Sequence, residues 1–172
     1  MRLWGPASGL GVGVALVALI ADQGHKWWML HVYHIQDKGR VEVNRFLDLV
    51  FAKNVGVSYG LFPANGRFGQ LALTLFAVVV VIGLLLWLAQ NQTRIAAVSL
   101  GLIIGGAVGN AIDRMVLGGV ADFFSAHAFG FYWYIFNIAD VAIVAGVLGL
   151  LYESIVASRQ DEKSRKEAAK RD

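Results

Sequence analysis

Four aspartates stand where an otherwise apolar chain has little use for charge: Asp22, Asp113, Asp122 and Asp140. An ionisable group in or beside an apolar run is costly to desolvate, so it faces a bundle interior or a cavity and marks function. Asp22 and Lys26 lie four residues apart at the end of the first apolar run, near enough on a helix to neutralise each other. That pair serves either to orient the helix end or directly in the chemistry. Asn110, Asp113 and Arg114 close the third run, and Asn137 and Asp140 share one face of the fourth. Asp122 follows the Gly118-Gly119 break, in Val120-Ala121-Asp122-Phe123. Lys26 can take Asp22, and Arg114 can take Asp113 or a neighbour, which leaves Asp122 and Asp140 without an obvious cation. Two carboxylates together in a low dielectric cannot both ionise, so one keeps a proton near neutral pH. Such a pair can hydrolyse a peptide bond, one carboxylate acting as general base toward water and the other as acid. Spacing alone leaves an ion or proton pathway equally open.

Other constellations carry less. His25, His31 and His34 are not accompanied by HExxH or by a carboxylate at ligand spacing, so they read as interfacial histidines and no metal site is expected. A Ser-Lys dyad needs Ser58 or Ser125 to meet Lys26 or Lys53, and nothing in the spacing brings them together. With no cysteine in the chain, a disulfide scaffold, a Cys₄ zinc site and a thiol nucleophile are excluded.

The elements that position these groups belong in a membrane. The 172 residues are 57% hydrophobic and 16% charged, with a mean hydropathy of +0.59. Soluble domains carry roughly a quarter charged residues. A helix needs about 20 apolar residues to cross the hydrocarbon, and four segments qualify, over about residues 3–28, 68–89, 95–114 and 134–157. The stretch Leu3 to Ala21 carries no charge; it is too long for a signal-peptide h-region, and no A-x-A site precedes Asp22. The fold class expected is an all-α membrane protein with one embedded domain over residues 1–158. Residues 159–172 form a charged tail whose basic residues are interleaved with Asp161, Glu162 and Glu167. A basic balance of this kind is a membrane-adjacent tail rather than a nucleic-acid patch, so no nucleic acid is expected as partner. Arg2, Arg94 and the tail fall on one side of the membrane, which the positive-inside rule makes cytoplasmic. On the other side, Val41 and Val43, then Leu47, Leu49 and Phe51, alternate with polar partners and predict short strands. Asn65-Gly66 predicts a turn before the second span. The connection from Met115 to Trp133 is rich in glycine and aromatics, and Phe131-Tyr132-Trp133-Tyr134 reads as an interfacial aromatic belt. Gly101, Gly105 and Gly109, four residues apart, form a smooth helical face that admits a close neighbour.

Taken in order, the polar clusters resemble the lipoprotein signal peptidase (signal peptidase II) family, an aspartic membrane protease family. The matching segments are Asp22-x-x-x-Lys26, Lys53-Asn54-Val55-Gly56, the run Gly105-Gly106-Ala107-Val108-Gly109-Asn110-Ala111-Ile112-Asp113-Arg114, Val120-Ala121-Asp122-Phe123, and Phe136-Asn137-Ile138-Ala139-Asp140. They span the chain from about Trp4 to Ala157. The resemblance implies a bacterial inner-membrane endopeptidase, active on its periplasmic side with cytoplasmic termini. It implies four transmembrane helices, a small periplasmic β-cradle, and removal of the signal peptide from diacylglyceryl-modified prolipoproteins just before the lipidated cysteine. It places the catalytic pair on Asp122 and Asp140, site-lining or substrate-binding roles on Asn54, Asn110 and Arg114, and supporting polar roles on Asp22, Lys26, Asp113 and Asn137. Prolipoproteins and membrane lipid are the expected partners of a monomer that uses no cofactor. Val57-Ser58-Tyr59-Gly60 departs from the small-residue-then-Phe pattern expected after Gly56, which bears on groove shape and leaves the acids untouched. A proton-coupled transporter and a non-enzymatic assembly factor are the competing classes. The absence of inverted-repeat symmetry weighs against the first, and the two unpaired aspartates against the second.

Overall fold

The computed structural model describes residues 3–56, 66–90 and 93–168, with side chains described as far as residue 159. The elements in chain order are α1 (Ser8–His31), α2 (Ile35–Lys38), β1 (Val41–Asn44), β2 (Leu47–Asn54), α3 (Gly66–Gln90), α4 (Arg94–Leu117), β3 (Val120–Ala128), β4 (Phe131–Phe136) and α5 (Ile138–Ala168). Among the described residues three helices are long and apolar enough to cross a membrane: α3, α4, and α5 over Ile138–Arg159. α1 falls short of the fourth expected from the sequence, because its last third carries Asp22, Gln23, His25 and Lys26. It also starts later than expected, at Ser8, whose hydroxyl accepts the Gly5 N–H at 2.9 Å just ahead of the helix.

The hydrophobicity is turned outward. α3 buries only Gln70, Thr74, Leu88 and Ala89, while Leu71, Leu75, Phe76, Val79 and Ile82 are exposed along it. A helix that is apolar all round and exposes that surface has lipid as its solvent. α4 is the opposite case, the central helix against which α1, α3 and α5 all pack. Its close approaches run over glycine, as the spacing predicts. A Cβ on Gly101 would strike the Gly11 carbonyl oxygen, one on Gly105 the Ala15 carbonyl oxygen, and one on Gly109 would stand 2.6 Å from Asp22 Oδ2. Gly106, on the other side of α4, does the same for Ala139 of α5. Ala7, Leu88, Ala97, Leu100 and Ile104 form the apolar core of the bundle.

The sheet holds four antiparallel strands in the order β1-β2-β3-β4. The predicted strands around Val41–Phe51 are present, and Asn44 Oδ1 accepts the Phe46 N–H at 2.9 Å in the turn between them. Two features differ from the sequence reading. The glycine- and aromatic-rich connection after α4 forms a strand pair, for which no strands were predicted, and the segment Phe131–Tyr134 lies in β4, so the last helix begins at Ile138 and not at Tyr134. Phe129 and Gly130 both adopt left-handed backbone, φ 51° and 80°, as the tight β3–β4 turn requires. Gly118, at φ 68°, ends α4 and turns the chain into β3. Met29, Ile35, Ala121 and Phe123 pack beneath the sheet and fix it to the end of α1. Asn65 and the segment Val57-Ser58-Tyr59-Gly60 lie outside the described residues.

Gly105→Val places branched carbons against the Ala15 carbonyl and the Ala18 side chain, so α1 and α4 must separate. A loss of at least about 1–3 kcal/mol is expected, read as a lower melting temperature in detergent. Gly83 meets nothing within 4 Å, and Gly83→Ala should melt at or slightly above the wild-type temperature.

Candidate active site

The site assembles where β3, the end of α4 and the start of α5 meet the end of α1. Asp122 lies in β3, opposite Ala52 of β2, and is 2% exposed. Asp140 is the third residue of α5, and Asn137 precedes that helix as its cap. Asn137 Oδ1 accepts the Asp140 N–H at 2.9 Å, and Asp140 Oδ2 accepts the Asn137 N–H at 3.2 Å. This is the reciprocal arrangement of a capping box, with an amide and a carboxylate in the two roles. The helix start and the placement of Asp140 are therefore one structure.

The same asparagine reaches Asp122. Its Nδ2 donates to Asp122 Oδ1 at 2.6 Å and to Asn110 Oδ1 at 3.1 Å, and Asn110 Nδ2 donates in turn to Asp140 Oδ1 at 3.0 Å. Two amides thus bridge the two carboxylates, and every polar atom of the Asn137 side chain is used. Among the described residues neither Asp122 nor Asp140 lies within ion-pair distance of a basic side chain. Burial and the neighbouring Asp140 charge push the Asp122 carboxyl up to about 7, against hydrogen bonds from Asn137 and Asn54 and the Lys26 charge. Asp122 can hold a proton and surrender it near neutral pH.

Beneath the pair sits an ionic platform. Lys26 Nζ pairs with Asp22 Oδ2 at 2.8 Å and with Asp113 Oδ2 at 2.7 Å, all three side chains buried, and reaches Asn110 Oδ1 at 3.3 Å. Asp113 therefore pairs with Lys26 and not with Arg114, because consecutive helix residues do not face the same neighbour. Asp22 Oδ1 accepts the Ala139 N–H at 2.9 Å, and Asp113 Oδ2 accepts the Ala121 N–H at 3.0 Å. Ala139 and Ala121 each immediately precede one of the paired aspartates. Gln23, which the sequence reading passed over, donates to Asp113 Oδ1 at 2.9 Å and to Asp22 Oδ2 and the Gly109 carbonyl, both at 3.2 Å. Its signal was available as a second polar residue beside Asp22 at the end of an apolar run.

Arg114 and Asn54 complete the rim. Arg114 donates to the Asn110 carbonyl at 3.2 Å and to the Gly56 carbonyl at 3.5 Å. Asn54 accepts the Gly56 N–H at 3.1 Å and hydrogen-bonds Asp122. These groups line a cleft of about 370 Å³ with Asp122, Asp140 and Asn110 at its polar end. Leu73, Phe76 and Val80 of α3 and Ile143 and Val144 of α5 line its apolar end. Lys26 is engaged by two carboxylates and offers no base to a serine; Ser58 lies outside the described residues. His25 is half-buried and stands against Phe123 and Phe124, at ring distances of 5.5 and 5.1 Å.

A family model described as signal peptidase (SPase) II matches residues 14–156. The chain belongs to the signal peptidase II family. The lipoprotein signal peptidase of Rhodopseudomonas palustris (strain ATCC BAA-98 / CGA009) is 49% identical over 151 residues, 86% of this chain and 92% of the relative. That of Nitrobacter hamburgensis is 49% identical over 150 residues, 85% of this chain and 92% of the relative. Two solved structures are similar throughout. A bacterial membrane enzyme determined by the in meso method at 2.3 Å resolution has a TM-score of 0.76 at 25% identity, covering 92% of this chain and 94% of that one. A second, at 1.9 Å, has a TM-score of 0.70 at 28% identity, covering 84% and 92%. Membership in the signal peptidase II family makes the chain a membrane peptidase, and decides against the transporter and assembly-factor classes.

The raised Asp122 carboxyl gives stability a definite pH dependence. The folded protein favours the protonated acid, so this group costs nothing below its ordinary value near 3.8. The cost grows as pH rises and is complete above about 7. Asp122→Asn should therefore melt above wild type at about pH 8, with the gap closing toward about pH 4. A gap independent of pH would show that Asp122 is ionised throughout.

Proposed function

We propose that this chain is a membrane aspartic endopeptidase that removes the signal peptide from diacylglyceryl-modified prolipoproteins, cleaving just before the lipidated cysteine, with Asp122 and Asp140 as the catalytic pair. The observation that carries the reading is the convergence of these two carboxylates on one cleft, bridged through Asn137 and Asn110 and free of ion-pair partners among the described residues. One carboxylate takes a proton from a water that attacks the scissile carbonyl carbon. The other gives a proton to the departing amine nitrogen as the C–N bond breaks. Arg114, Asn54 and Asn110, at the polar end of the cleft, offer donors to the peptide. The apolar wall from α3 and α5 suits the acyl chains of a lipidated cysteine. Asp22, Lys26, Asp113 and Asn137 support the pair by fixing the backbone and amides around it. The residues assigned to the reaction call for no metal or organic cofactor.

In this reading α1 is a fourth spanning helix. Leu10, Leu16, Val17 and Ile20 expose an apolar side, and 24 helical residues extend about 36 Å. Four spans put both termini on one side, and the basic residues of the tail favour the cytoplasm, leaving the sheet and the cleft at the periplasmic face of the inner membrane. The catalytic domain is residues 1–158, acting as a monomer in contact with membrane lipid, with 159–172 as a cytoplasmic tail.

The roles are tested with purified protein in detergent and a diacylglyceryl lipobox peptide, no metal being added. Asp122→Asn and Asp140→Asn should each lose at least about 10²-fold in cleavage and remain folded. Asp113→Asn, which removes a support rather than a proton carrier, should lose activity less completely or together with stability. Wild-type turnover by a stable Asp122→Asn or Asp140→Asn protein would remove the pair from the mechanism.

Orientation is tested separately. A reporter fused after Asp172 should behave as cytoplasmic and one inserted at Lys38-Gly39 as periplasmic; opposite behaviour at either site would reverse the topology.

A further inference from the structure

Gln70 is a buried amide on the most lipid-exposed helix of the protein. α3 faces the bilayer along most of its length, yet Gln70 is 5% exposed. A polar side chain buried at that depth is costly unless it is bonded. Gln70 Nε2 donates to the Val55 carbonyl at 2.6 Å, and Thr74 Oγ1 closes back on the Gln70 carbonyl at 2.8 Å.

Val55 is the middle of three residues that serve the cleft in turn. Asn54, the last residue of β2, hydrogen-bonds Asp122 with its side chain. Gly56 offers its carbonyl to Arg114 at 3.5 Å and its N–H to Asn54 Oδ1 at 3.1 Å. The residues on either side of Val55 therefore touch two different groups of the site. The β2–β3 ladder ends at the pairing of Asn54 with Val120, so beyond Asn54 the sheet no longer holds the segment. α3 packs chiefly on α4.

We infer that Gln70 is a positioning residue: its hydrogen bond to the Val55 carbonyl ties Asn54-Val55-Gly56 to α3 and so sets where Asn54 meets Asp122 and where Gly56 meets Arg114. The inference rests on the proposed role of Asp122. It joins the helix that lines the apolar end of the cleft to the groups at its polar end.

The test compares Gln70→Leu and Gln70→Glu with wild type in the detergent cleavage assay, with melting temperatures measured at each pH and Asp122→Asn run alongside. Gln70→Leu should lose about tenfold in cleavage, the scale of one positioned hydrogen bond, and still purify as a folded protein. Gln70→Glu carries a donor only when protonated. Its rate relative to Gln70→Leu should therefore climb several-fold as pH falls from about 8 to about 5.5, measured at a temperature where both variants are fully folded at every pH, since the buried carboxylate also raises the melting temperature as it takes up a proton. A purely structural role predicts no such climb. If Gln70→Leu does not fold, Gln70→Glu against wild type over the same pH range gives the same readout. Wild-type cleavage by Gln70→Leu, or a Gln70→Glu rate that does not recover at low pH while Asp122→Asn is inactive, would overturn the inference. A cleaving Asp122→Asn protein would overturn the reading on which it rests.

Discussion

Everything in the site hangs on one buried ammonium. Lys26 holds Asp22 and Asp113 within 2.8 and 2.7 Å, and each of those carboxylates holds the backbone N–H that immediately precedes Asp140 or Asp122. A single cation on α1 thus fixes a strand and a helix start that both lie far from it in sequence. An ion pair of this kind contributes little net stability against apolar alternatives, whereas losing one partner strands a buried charge. Its value is geometric: three interlocked side chains hold the backbone beside Asp122 and Asp140.

The fold is built to let that lock form. Small residues on two sides of α4 bring α1 and α5 into backbone contact, so Asp22 reaches across to Ala139 where a side chain at Gly109 would block it. α3 stands apart from this tight trio. It exposes most of its surface and contributes one apolar wall of the cleft. The polar end of the cleft is framed by the sheet, whose β3 delivers Asp122 directly after the Gly118 turn.

Much of this was legible in the residues. Apolar runs located α3, α4 and α5, alternation located β1 and β2, and the scarcity of cations marked Asp122 and Asp140 as the acids left without a partner. What escaped has physical causes. The aromatic run Phe131–Tyr134 gives no local sign of a strand, which only its pairing with β3 reveals. Asp113 and Arg114 are adjacent in sequence and look like partners, yet a helix turns them to different neighbours, and the true partner lies on another helix. Gln70 was invisible because an amide within an apolar run announces nothing until its acceptor is seen, whereas Gln23 stood beside Asp22 and was overshadowed by the charge. The assignment of catalytic roles came from resemblance; spacing alone left a proton pathway as a fair competitor.

The capping box at the start of α5 makes the two oxygens of Asp140 inequivalent. Oδ2 is committed to the Asn137 N–H and so to the integrity of the helix, while Oδ1 faces the amide bridge toward Asp122. A proton arriving at Oδ2 would compete with the cap, whereas one at Oδ1 leaves the helix start undisturbed. The carboxylate is therefore handed: one oxygen is tied to the helix start and the other to the amide bridge, and a flip of the group is opposed by the first turn of a helix. In the proposed mechanism, a proton on Asp140 then has a preferred oxygen before any substrate arrives.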